Sequence, residues 1–298
     1  MSTTDAIQEM LAEHGYVADR QVVMSVYLAQ TLERPLLIEG PAGVGKTEVA
    51  KVVARALDTE LIRLQCYEGL DAHAALYEWN YQRQLLHIKL DEKSQRPLAE
   101  READLFSEDF LLKRPLLQAI TQPVPPVLLI DEIDRADEEF ESFLLEVVSY
   151  WQITIPEIGT IRAAARPHVI LTSNRTRELS DAVRRRCFYL WIDYPEFDKE
   201  VEIVRRKVNG IDIQLAEQIC RFMEKIRMQR LEKVPGVAET LDWAKALVAL
   251  HQHHLDLEVV ADTLGIVFKD QRDVAQVKQS LAEFLEGLGV RAKLAPER

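Results

Sequence analysis

Short apolar runs recur along the first two thirds of the chain, separated by segments whose apolar residues have helical spacing. The runs are RPLLIEG (34–40), ELIRLQC (60–66), PVLLIDE (126–132), HVILTSN (168–174) and CFYLWID (187–193). Mostly apolar runs of this length are typical of strands buried on both faces of a parallel sheet. The segment KTEVAKVVARAL (46–57) has the spacing of a helix, so the order of elements predicts β–α–β units and an α/β fold.

The pattern becomes entirely helical after Pro195. Helices are also predicted at the N-terminus, over about 4–14 and from Asp19 onward. Beyond Pro195 the apolar stripes comprise Ile219, Phe222, Met223 and Ile226, then Val274, Val277, Leu281, Phe284, Leu285 and Leu288. We therefore predict an α/β domain over 1–195, with helices flanking a parallel sheet, and a smaller all-helical domain over 196–298.

Two segments interrupt the alternation of strands and helices. Residues 67–109 are long for a connection, and the charged part, 91–109, is predicted to be a solvated loop. Its aromatic residues Tyr77, Trp79 and Tyr81 fit either a small satellite core or a surface that grips a partner. Residues 152–166 have the pattern of a β-hairpin.

Composition and net charge argue against several classes of protein. The chain has 298 residues and a net charge of −12, which argues against duplex nucleic acid as the main partner but leaves a local basic groove open. No apolar run approaches the ~20 residues of a membrane span, and the N-terminus lacks the apolar region of a secretory signal. Three widely spaced cysteines without a CxxC pair predict reduced thiols and a cytoplasmic location.

The stretch GPAGVGKT (40–47) fits G-x-x-x-x-G-K-[ST] at every fixed position, between a predicted strand and a predicted helix. Backbone N–H groups of such a loop surround a phosphate, and the helix N-terminus favours its charge. Lys46 is expected to reach the β- and γ-phosphates of ATP, and the Thr47 hydroxyl to bind Mg²⁺. The predicted nucleotide-binding residues are Gly40, Pro41, Ala42, Gly43, Val44, Gly45, Lys46, Thr47 and Glu48.

Polar residues end the next strands. Asp131 ends an apolar strand and is predicted to hold the Mg²⁺ shell, while Glu132 is placed to deprotonate an attacking water. Asn174 ends the following strand, where it either positions that water or the γ-phosphate, or is only a turn residue. The presence of Glu132 favours hydrolysis over binding alone.

Arg184, Arg185 and Arg186 stand in a row before the last apolar run, in an acidic chain. Arginines at the end of a helix can cap carbonyls or line the surface. Alternatively, they supply charge to a transferring phosphoryl group that is bound by a neighbouring subunit.

The order of the P-loop, LLIDEID, TSN and LSDAVRRRCF, followed by a helical lid, resembles an AAA+ ATPase. The hairpin before HVILTSN is similar to the pre-sensor hairpin of the helix-2-insert clade, and residues 67–90 are similar to the helix-2 insert itself. Together these features resemble the MoxR family. The sequence LQCYEGLD…ALYEWNYQRQLL is most similar to the CoxD branch of that family, which matures carbon monoxide dehydrogenase.

The resemblance implies a ring, usually hexameric, with ATP at the subunit interfaces. By position Arg186 matches the arginine finger and Arg185 is the runner-up, while Arg184 is expected to face solvent or pair locally. Tyr16 and Val17 match the adenine pocket.

The resemblance also implies a second-sensor arginine in the lid, but Asp242 stands at that position. Either Lys245 substitutes for that arginine or the lid does not sense the γ-phosphate directly; we favour the second. The implied partners are a metalloenzyme client and a protein with a von Willebrand A domain. The competing interpretations are a nucleic-acid motor and a scaffold that binds nucleotide without hydrolysis.

Overall fold

The computed structural model describes residues 3–91 and 96–287, which form helices and short strands in alternation. In chain order the elements are α1 (Thr3–Glu13), α2 (Arg20–Thr31), β1 (Leu36–Glu39), α3 (Lys46–Ala56), β2 (Leu61–Gln65), α4 (Ala72–Leu76), β3 (Tyr77–Trp79), α5 (Tyr81–Leu90), α6 (Leu98–Leu105), β4 (Leu111–Lys113), α7 (Pro115–Ile120), β5 (Val127–Asp131), α8 (Glu138–Tyr150), β6 (Gln152–Ile155), β7 (Gly159–Arg162), β8 (His168–Ser173), α9 (Asp181–Arg186), β9 (Phe188–Trp191), α10 (Phe197–Lys207), α11 (Ile213–Arg227), α12 (Val237–Ala249), α13 (Leu257–Val267) and α14 (Gln271–Glu286).

The described chain divides into two units. The α/β unit contains Ala18–Glu39 and Thr47–Trp191, together with the residues up to Met10. The helical unit contains the residues from Ile192 onward and two earlier segments, Leu11–Val17 and Gly40–Lys46. The inclusion of these two segments is not evident from the sequence pattern, because they lie far from Ile192 along the chain.

The five apolar runs form one parallel sheet with strand order β2–β5–β8–β1–β9, which confirms the predicted α/β fold. In this register Leu36 of β1 lies opposite Ile170 of β8 on one side and Phe188 of β9 on the other. Because the strands are parallel, their carboxyl ends share one edge of the sheet. Polar residues that follow different strands are therefore brought together there.

The inner strands β1, β5 and β8 are buried on both faces, because they are mostly apolar and lie between other strands and helices. On one face Leu37, Leu128 and Leu171 pack in a single core with residues of α7 and α8. Alternate residues such as Leu36 and Leu129 point to the opposite face and are equally buried. Covering both faces with helices makes this a layered α/β unit.

The insertion after β2 is a small folded subdomain. Strands β3 and β4 pair antiparallel, with Tyr77 opposite Lys113, so the insertion extends to Lys113. Trp79 is 8% exposed and contacts the ring of Phe106 at 5.4 Å, whereas Tyr81 is 64% exposed. The aromatic residues are thus divided between a satellite core and the surface.

The prediction of a solvated loop over 91–109 is wrong for its second half. Helix α6 occupies Leu98–Leu105, and a single 3₁₀ turn follows at Glu108–Phe110. Arg96, two residues before the helix, pairs with Glu100 and with Asp104 at 2.7 Å, so charged residues of the run contact each other as well as solvent. Residues 92–95 of the predicted loop lie outside the described residues.

The predicted hairpin at 152–166 is formed by β6 and β7, with Ile153 opposite Ile161. Thr154 and Thr160 stand opposite each other and share a hydrogen bond of 3.0 Å between their hydroxyls. The hairpin leads directly into β8, one of the inner strands of the sheet.

The helical unit has its own core, formed by the predicted apolar stripes of α11 and α14 together with Trp243 and Leu264. Leu288 of the second stripe lies outside the described residues. Among the described residues, no helix is long and apolar enough to cross a membrane.

A buried ion pair ties three helices of this unit together. Arg227 donates to both oxygens of Glu200, at 2.6 and 2.7 Å, and to the Thr240 hydroxyl at 3.0 Å. The side chains of Arg227 and Glu200 are only 8% and 1% exposed. A charge buried this deeply needs its partner, because water cannot replace it.

We expect Arg227→Ala to lower the free energy of unfolding by about 3–5 kcal/mol, because the Glu200 carboxylate loses its buried counter-charge. The matched control is Arg206→Ala, which removes only the exposed pair between Arg206 and Glu202 and should cost at most about 0.5 kcal/mol. Urea unfolding followed by circular dichroism measures both. Equal destabilisation by the two variants would contradict a structural role for the buried pair.

Candidate active site

The loop Gly40–Lys46 joins β1 to α3 and is closed by its own lysine. The Nζ of Lys46 donates to the carbonyl oxygens of Gly40 at 2.9 Å and Pro41 at 2.6 Å, and the residue is only 6% exposed. Gly45 has φ = 96°, a backbone conformation that other residues rarely adopt. The loop is therefore held in a tight turn at the start of α3, the arrangement that binds phosphate.

Within the helical unit, the start of α12 lies against this loop. The backbone N–H of Ala238 donates to the carbonyl of Gly43 at 3.2 Å. A Cβ added at Gly236 would lie 2.8 Å from the carbonyl oxygen of Ala42 and 2.8 Å from the Cα of Gly43. Only glycine fits this approach without moving one of the two backbones.

Asp242 and Lys245, the two lid residues considered for the second-sensor position, form an ion pair with each other. The Nζ of Lys245 lies 3.2 Å from Asp242, and both side chains are more than half exposed. The contacts of α12 with the loop come from the first residues of the helix, one or more turns before Asp242 and Lys245.

Asp131 is a buried carboxylate at the end of β5 with three partners. Its Oδ1 accepts hydrogen bonds from the hydroxyls of Thr47 at 3.0 Å and Thr172 at 2.5 Å. Its Oδ2 accepts from Arg63, at 3.0 and 2.5 Å. Thr47 and Asp131, both predicted Mg²⁺ ligands, are thus adjacent, and their oxygens are the donor type that Mg²⁺ requires.

Glu132 follows Asp131 in a left-handed conformation, with φ = 56°, which turns its side chain away from the strand direction. One carboxylate oxygen accepts from the Asn174 amide at 3.3 Å. The other accepts from the Gln65 amide at 3.1 Å and pairs with Arg135 at 2.9 Å. The structure thus brings Glu132 and Asn174 together, with Gln65 as an additional partner.

The loop that carries Asn174 is fixed by Asp134, which is 2% exposed. The Asp134 carboxylate accepts from the backbone N–H of Asn174 at 3.2 Å and from both the N–H and the hydroxyl of Thr176, at 2.8 and 2.7 Å. Four hydrogen bonds from one loop to one carboxylate leave that loop little freedom.

A third buried carboxylate, Glu39, ends β1 and faces two arginines. The Tyr189 hydroxyl donates to it at 3.1 Å, and Arg175 and Arg184 lie 3.7 and 3.8 Å away. Burial first, and then this hydrogen bond, raise the pKa of Tyr189, so its hydroxyl keeps the proton that it donates. Arg184 thus pairs locally, one of its two expected placements.

Arg185 and Arg186 remain exposed at the end of α9. Arg186 makes one long hydrogen bond, to the carbonyl of Ala182 at 3.4 Å, one turn back in its own helix. In the part of the chain that the structure describes, neither side chain forms an ion pair. Both are therefore available to an anion from outside the α/β unit.

The other predicted residues are divided between the two units, since Glu48 lies in the α/β unit and Tyr16, Val17 and Val44 in the helical unit. Tyr16 and Val17 are half-buried in the segment Leu11–Val17, which belongs to the same unit as the loop. Val44 is 8% exposed, and Glu48 lies 3.5 Å from Lys51 in the first turns of α3.

The cysteines contribute no reactive thiolate. Burial, followed by the charges of Asp131, Asp134 and Glu132, raises the pKa of Cys66 to about 12, and burial likewise raises that of Cys187 to about 12. Burial also raises the pKa of Cys220. Their thiols stay protonated near pH 7, so Cys66 is a packing residue although it adjoins Asp131.

A model of the ATPase family associated with various cellular activities (AAA) matches residues 36–194. The match covers more than half of the chain and every strand of the central sheet. The chain belongs to the AAA family. The protein is accordingly a nucleotide-binding ATPase.

Relatives of this AAA protein are found in staphylococci. An uncharacterised protein of Staphylococcus haemolyticus is 24% identical over 275 residues, covering 89% of this chain and 95% of its own. An uncharacterised protein of Staphylococcus aureus is 26% identical over 247 residues, covering 81% and 86%.

Among solved structures, a proposed ATPase of Cytophaga hutchinsonii matches with a TM-score of 0.50 at 15% identity, covering 92% of this chain and 85% of that one. The RuvB Holliday junction branch migration motor of Thermotoga maritima matches with a TM-score of 0.46 at 18% identity, covering 99% and 87%. At such identities a structural likeness bears on the fold alone.

Several polar residues of this AAA site were not predicted from the sequence: Arg63, Gln65, Asp134 and Thr172. The sequence contained one indication of the first two. Arg63 and Gln65 are polar residues at alternate positions of a strand whose other residues are apolar, so both side chains point to the same face of the sheet. Only the pairing of β2 with β5 shows that this face meets Asp131 and Glu132.

We expect Gly236→Ala to raise the Kd for ATP by about tenfold or more, because overpacking against Ala42 and Gly43 costs about 1–3 kcal/mol and displaces the loop. The control is Gly265→Ala in α13 of the same unit, where an added Cβ meets no atom within 4 Å. Titration with a fluorescent ATP analogue measures both. Unchanged affinity in Gly236→Ala would show that this contact does not shape the loop.

Proposed function

We propose that this AAA protein hydrolyses ATP with Mg²⁺ and uses the energy for chaperone-like remodelling of another protein, in a ring of identical subunits. The observation that carries the hydrolytic part is the Glu132 carboxylate, oriented by Gln65 and Asn174 directly after Asp131. A carboxylate oriented from two sides fits a general base better than a surface acid does.

In the proposed reaction different residues bind the phosphates, hold Mg²⁺, accept the proton and contact the adenine. The loop Gly40–Lys46 binds the phosphates, and Thr47 and Asp131 hold Mg²⁺, whose charge offsets that of the β- and γ-phosphates. Glu132 accepts the proton of the attacking water, and Asn174 orients that water or the γ-phosphate. Tyr16 and Val17 contribute to the adenine pocket.

The remaining charge is supplied from the neighbouring subunit. Arg186, or Arg185 as the runner-up, stabilises the transferring phosphoryl group that the next protomer binds. Exposure of both side chains, and their lack of ion pairs within the described residues, support a role toward an external anion. The ring, hexameric in the MoxR family that the sequence resembles, places one subunit's α9 near its neighbour's nucleotide.

Remodelling activity is supported by the surface of the insertion. The polar residue Gln84 is the buried member of α5, and it donates to the carbonyl of Leu105 at 2.6 Å. The exposed members are largely apolar: Tyr81, Leu85, Leu86, Ile88 and Leu90. An exposed apolar helix face suits contact with a client protein.

The identity of the client and the cellular location follow from resemblance and composition. The CoxD branch matures a molybdenum- and copper-containing carbon monoxide dehydrogenase, so we propose a metalloenzyme of that kind as client and a von Willebrand A domain protein as partner. The reduced thiols fit a cytoplasmic protein.

We expect Glu132→Gln to bind ATP normally and to lower kcat by about 10²–10⁴-fold, because the amide cannot accept the proton of water. Glu139→Gln, an exposed acid on α8, is the control and should hydrolyse like the wild type. Phosphate release and nucleotide binding are measured in parallel. Normal turnover by Glu132→Gln would refute the assigned base, and strong stimulation by duplex DNA at physiological salt would instead support a nucleic-acid motor.

We expect Arg186→Ala to bind ATP but to hydrolyse it at least about 10³-fold more slowly, because the phosphoryl charge is left uncompensated. Mixing this variant with Lys46→Ala subunits, which keep their arginines, should restore part of the turnover. Normal hydrolysis by the assembled Arg186→Ala protein would assign the role to Arg185, or to neither arginine if Arg185→Ala is also active.

A further inference from the structure

Arg34, in the turn between α2 and β1, contacts the end of α9 beside the amino-terminal ends of the neighbouring strands β1 and β9. Its Nη2 donates to the carbonyl oxygen of Arg185 at 2.8 Å, and its Nε donates to that of Arg186 at 3.3 Å. The guanidinium also lies over the ring of Phe188, 4.7 Å from its centroid. The two residues whose carbonyls it binds are the two candidate fingers.

Helix α9 depends on outside contacts for its position, because six residues are too few to form a stable helix alone. Its N-terminal side is fixed by the Ser180 hydroxyl, which accepts from Val183, and by Ser180 N–H, which donates to the buried Glu141. At its C-terminal end the last carbonyls have no partners within the helix. Arg34 binds two of them, and its positive charge is favourable at that end.

The backbone of Arg34 is itself held in place. Its N–H donates to the carbonyl of Ala29 at 3.0 Å, and the Pro35 carbonyl accepts from Phe188 N–H at 2.8 Å. Arg34 therefore connects the hydrogen-bonded start of β1 to the junction between α9 and β9. A planar guanidinium can reach two carbonyls in a fixed direction, whereas a lysine ammonium acts as a point charge.

Three exposed arginines belong to this junction: Arg34, and Arg185 and Arg186, whose carbonyls it binds. Among the residues that the structure describes, none of the three forms an ion pair with a carboxylate. Arg184, the fourth arginine of the region, faces Glu39 instead. Exposed arginines without a carboxylate partner give this part of the surface a positive charge that attracts an anion.

We propose that Arg34 is a positioning residue for the arginine finger. It fixes the backbone of the last turn of α9, so that whichever of Arg185 and Arg186 is the finger keeps a defined direction toward the neighbouring subunit's nucleotide. This inference rests on the proposed function, because it assumes that one of those arginines acts on a phosphoryl group in trans.

The first test compares Arg34→Ala, Arg34→Lys and the control Arg166→Ala. Arg166 is an exposed arginine that pairs with Glu33, next to Arg34 along the chain, rather than with α9. We expect Arg34→Ala to lower kcat by roughly ten- to a hundredfold with unchanged ATP affinity, since it loses two charge-assisted hydrogen bonds. Arg34→Lys should recover only part of the loss, and Arg166→Ala should match the wild type.

The second test separates positioning of the finger from a general effect on folding. If Arg34 acts through the finger, Arg34→Ala lowers turnover little further in an Arg186→Ala background, or in an Arg185→Ala background if that residue is the finger. Lys46→Ala subunits, which carry an intact Arg34, should restore turnover to Arg34→Ala subunits in mixed rings. A merely structural role would give additive losses and no restoration.

The outcomes distinguish this inference from the proposed function. If neither Arg185→Ala nor Arg186→Ala affects hydrolysis, the finger in trans fails, and the role of Arg34 fails with it. If either of them is impaired while Arg34→Ala and Arg34→Lys hydrolyse normally, only the role of Arg34 is overturned. Full recovery by Arg34→Lys would show that charge, and not the fork of hydrogen bonds, is what matters.

Discussion

Burial of the Asp131 carboxylate, at the shared edge of the parallel strands, is the constraint on which the α/β unit's site depends. A carboxylate with 3% exposure must be satisfied by protein groups, and each of its partners comes from a different element. Thr47 comes from α3, Thr172 from β8 and Arg63 from β2. The hydrogen bonds of one side chain therefore fix the relative positions of three elements around the place where Mg²⁺ chemistry is proposed.

Buried carboxylates have a similar role elsewhere in the protein. Asp134 fixes the loop of Asn174, and Glu39 faces Arg184 of α9 from the end of β1. In the helical unit Glu200 joins Arg227 to Thr240. Such groups add little net stability compared with apolar packing, but they specify one arrangement, because any other leaves a buried charge unpaired. An ATPase benefits from that specificity, since its catalytic groups must be held to within fractions of an ångström.

Strand β1 has a central place in this arrangement. Arg34 precedes it and binds the end of α9, while Glu39 ends it and faces Arg184 of the same helix. The strand also leads directly into the loop that is proposed to bind phosphate. The arginine helix is thus held by residues at both ends of one four-residue strand.

Local patterns were enough to predict much of the fold and the central residues of the site. The apolar runs predicted the five sheet strands, and the motif around Lys46 and Thr47, with Asp131 and Glu132 after a later strand, predicted the phosphate and Mg²⁺ residues. The sheet strands are confirmed, and the structure brings Thr47 next to Asp131, while the phosphate and Mg²⁺ roles stay predictions. Such patterns are readable in the sequence because a strand–loop–helix carries its chemistry in consecutive residues. The prediction for the charged run 91–109 was wrong in its second half, because composition alone does not distinguish a solvated loop from the exposed helix that Leu98–Leu105 forms. Other features depend on which distant segments come together. Arg63 and Gln65 are ordinary strand residues until β2 pairs with β5, and Gly236 is an ordinary helix start until it meets Gly43.

The sequence alone establishes the chemical groups, the alternation of strands and helices that forms a parallel sheet, and the AAA character of the chain. The partners of Asp131, Glu132 and α9 are settled only in the folded chain, because a residue's neighbours across a sheet are set by strand order, and no local pattern encodes that order.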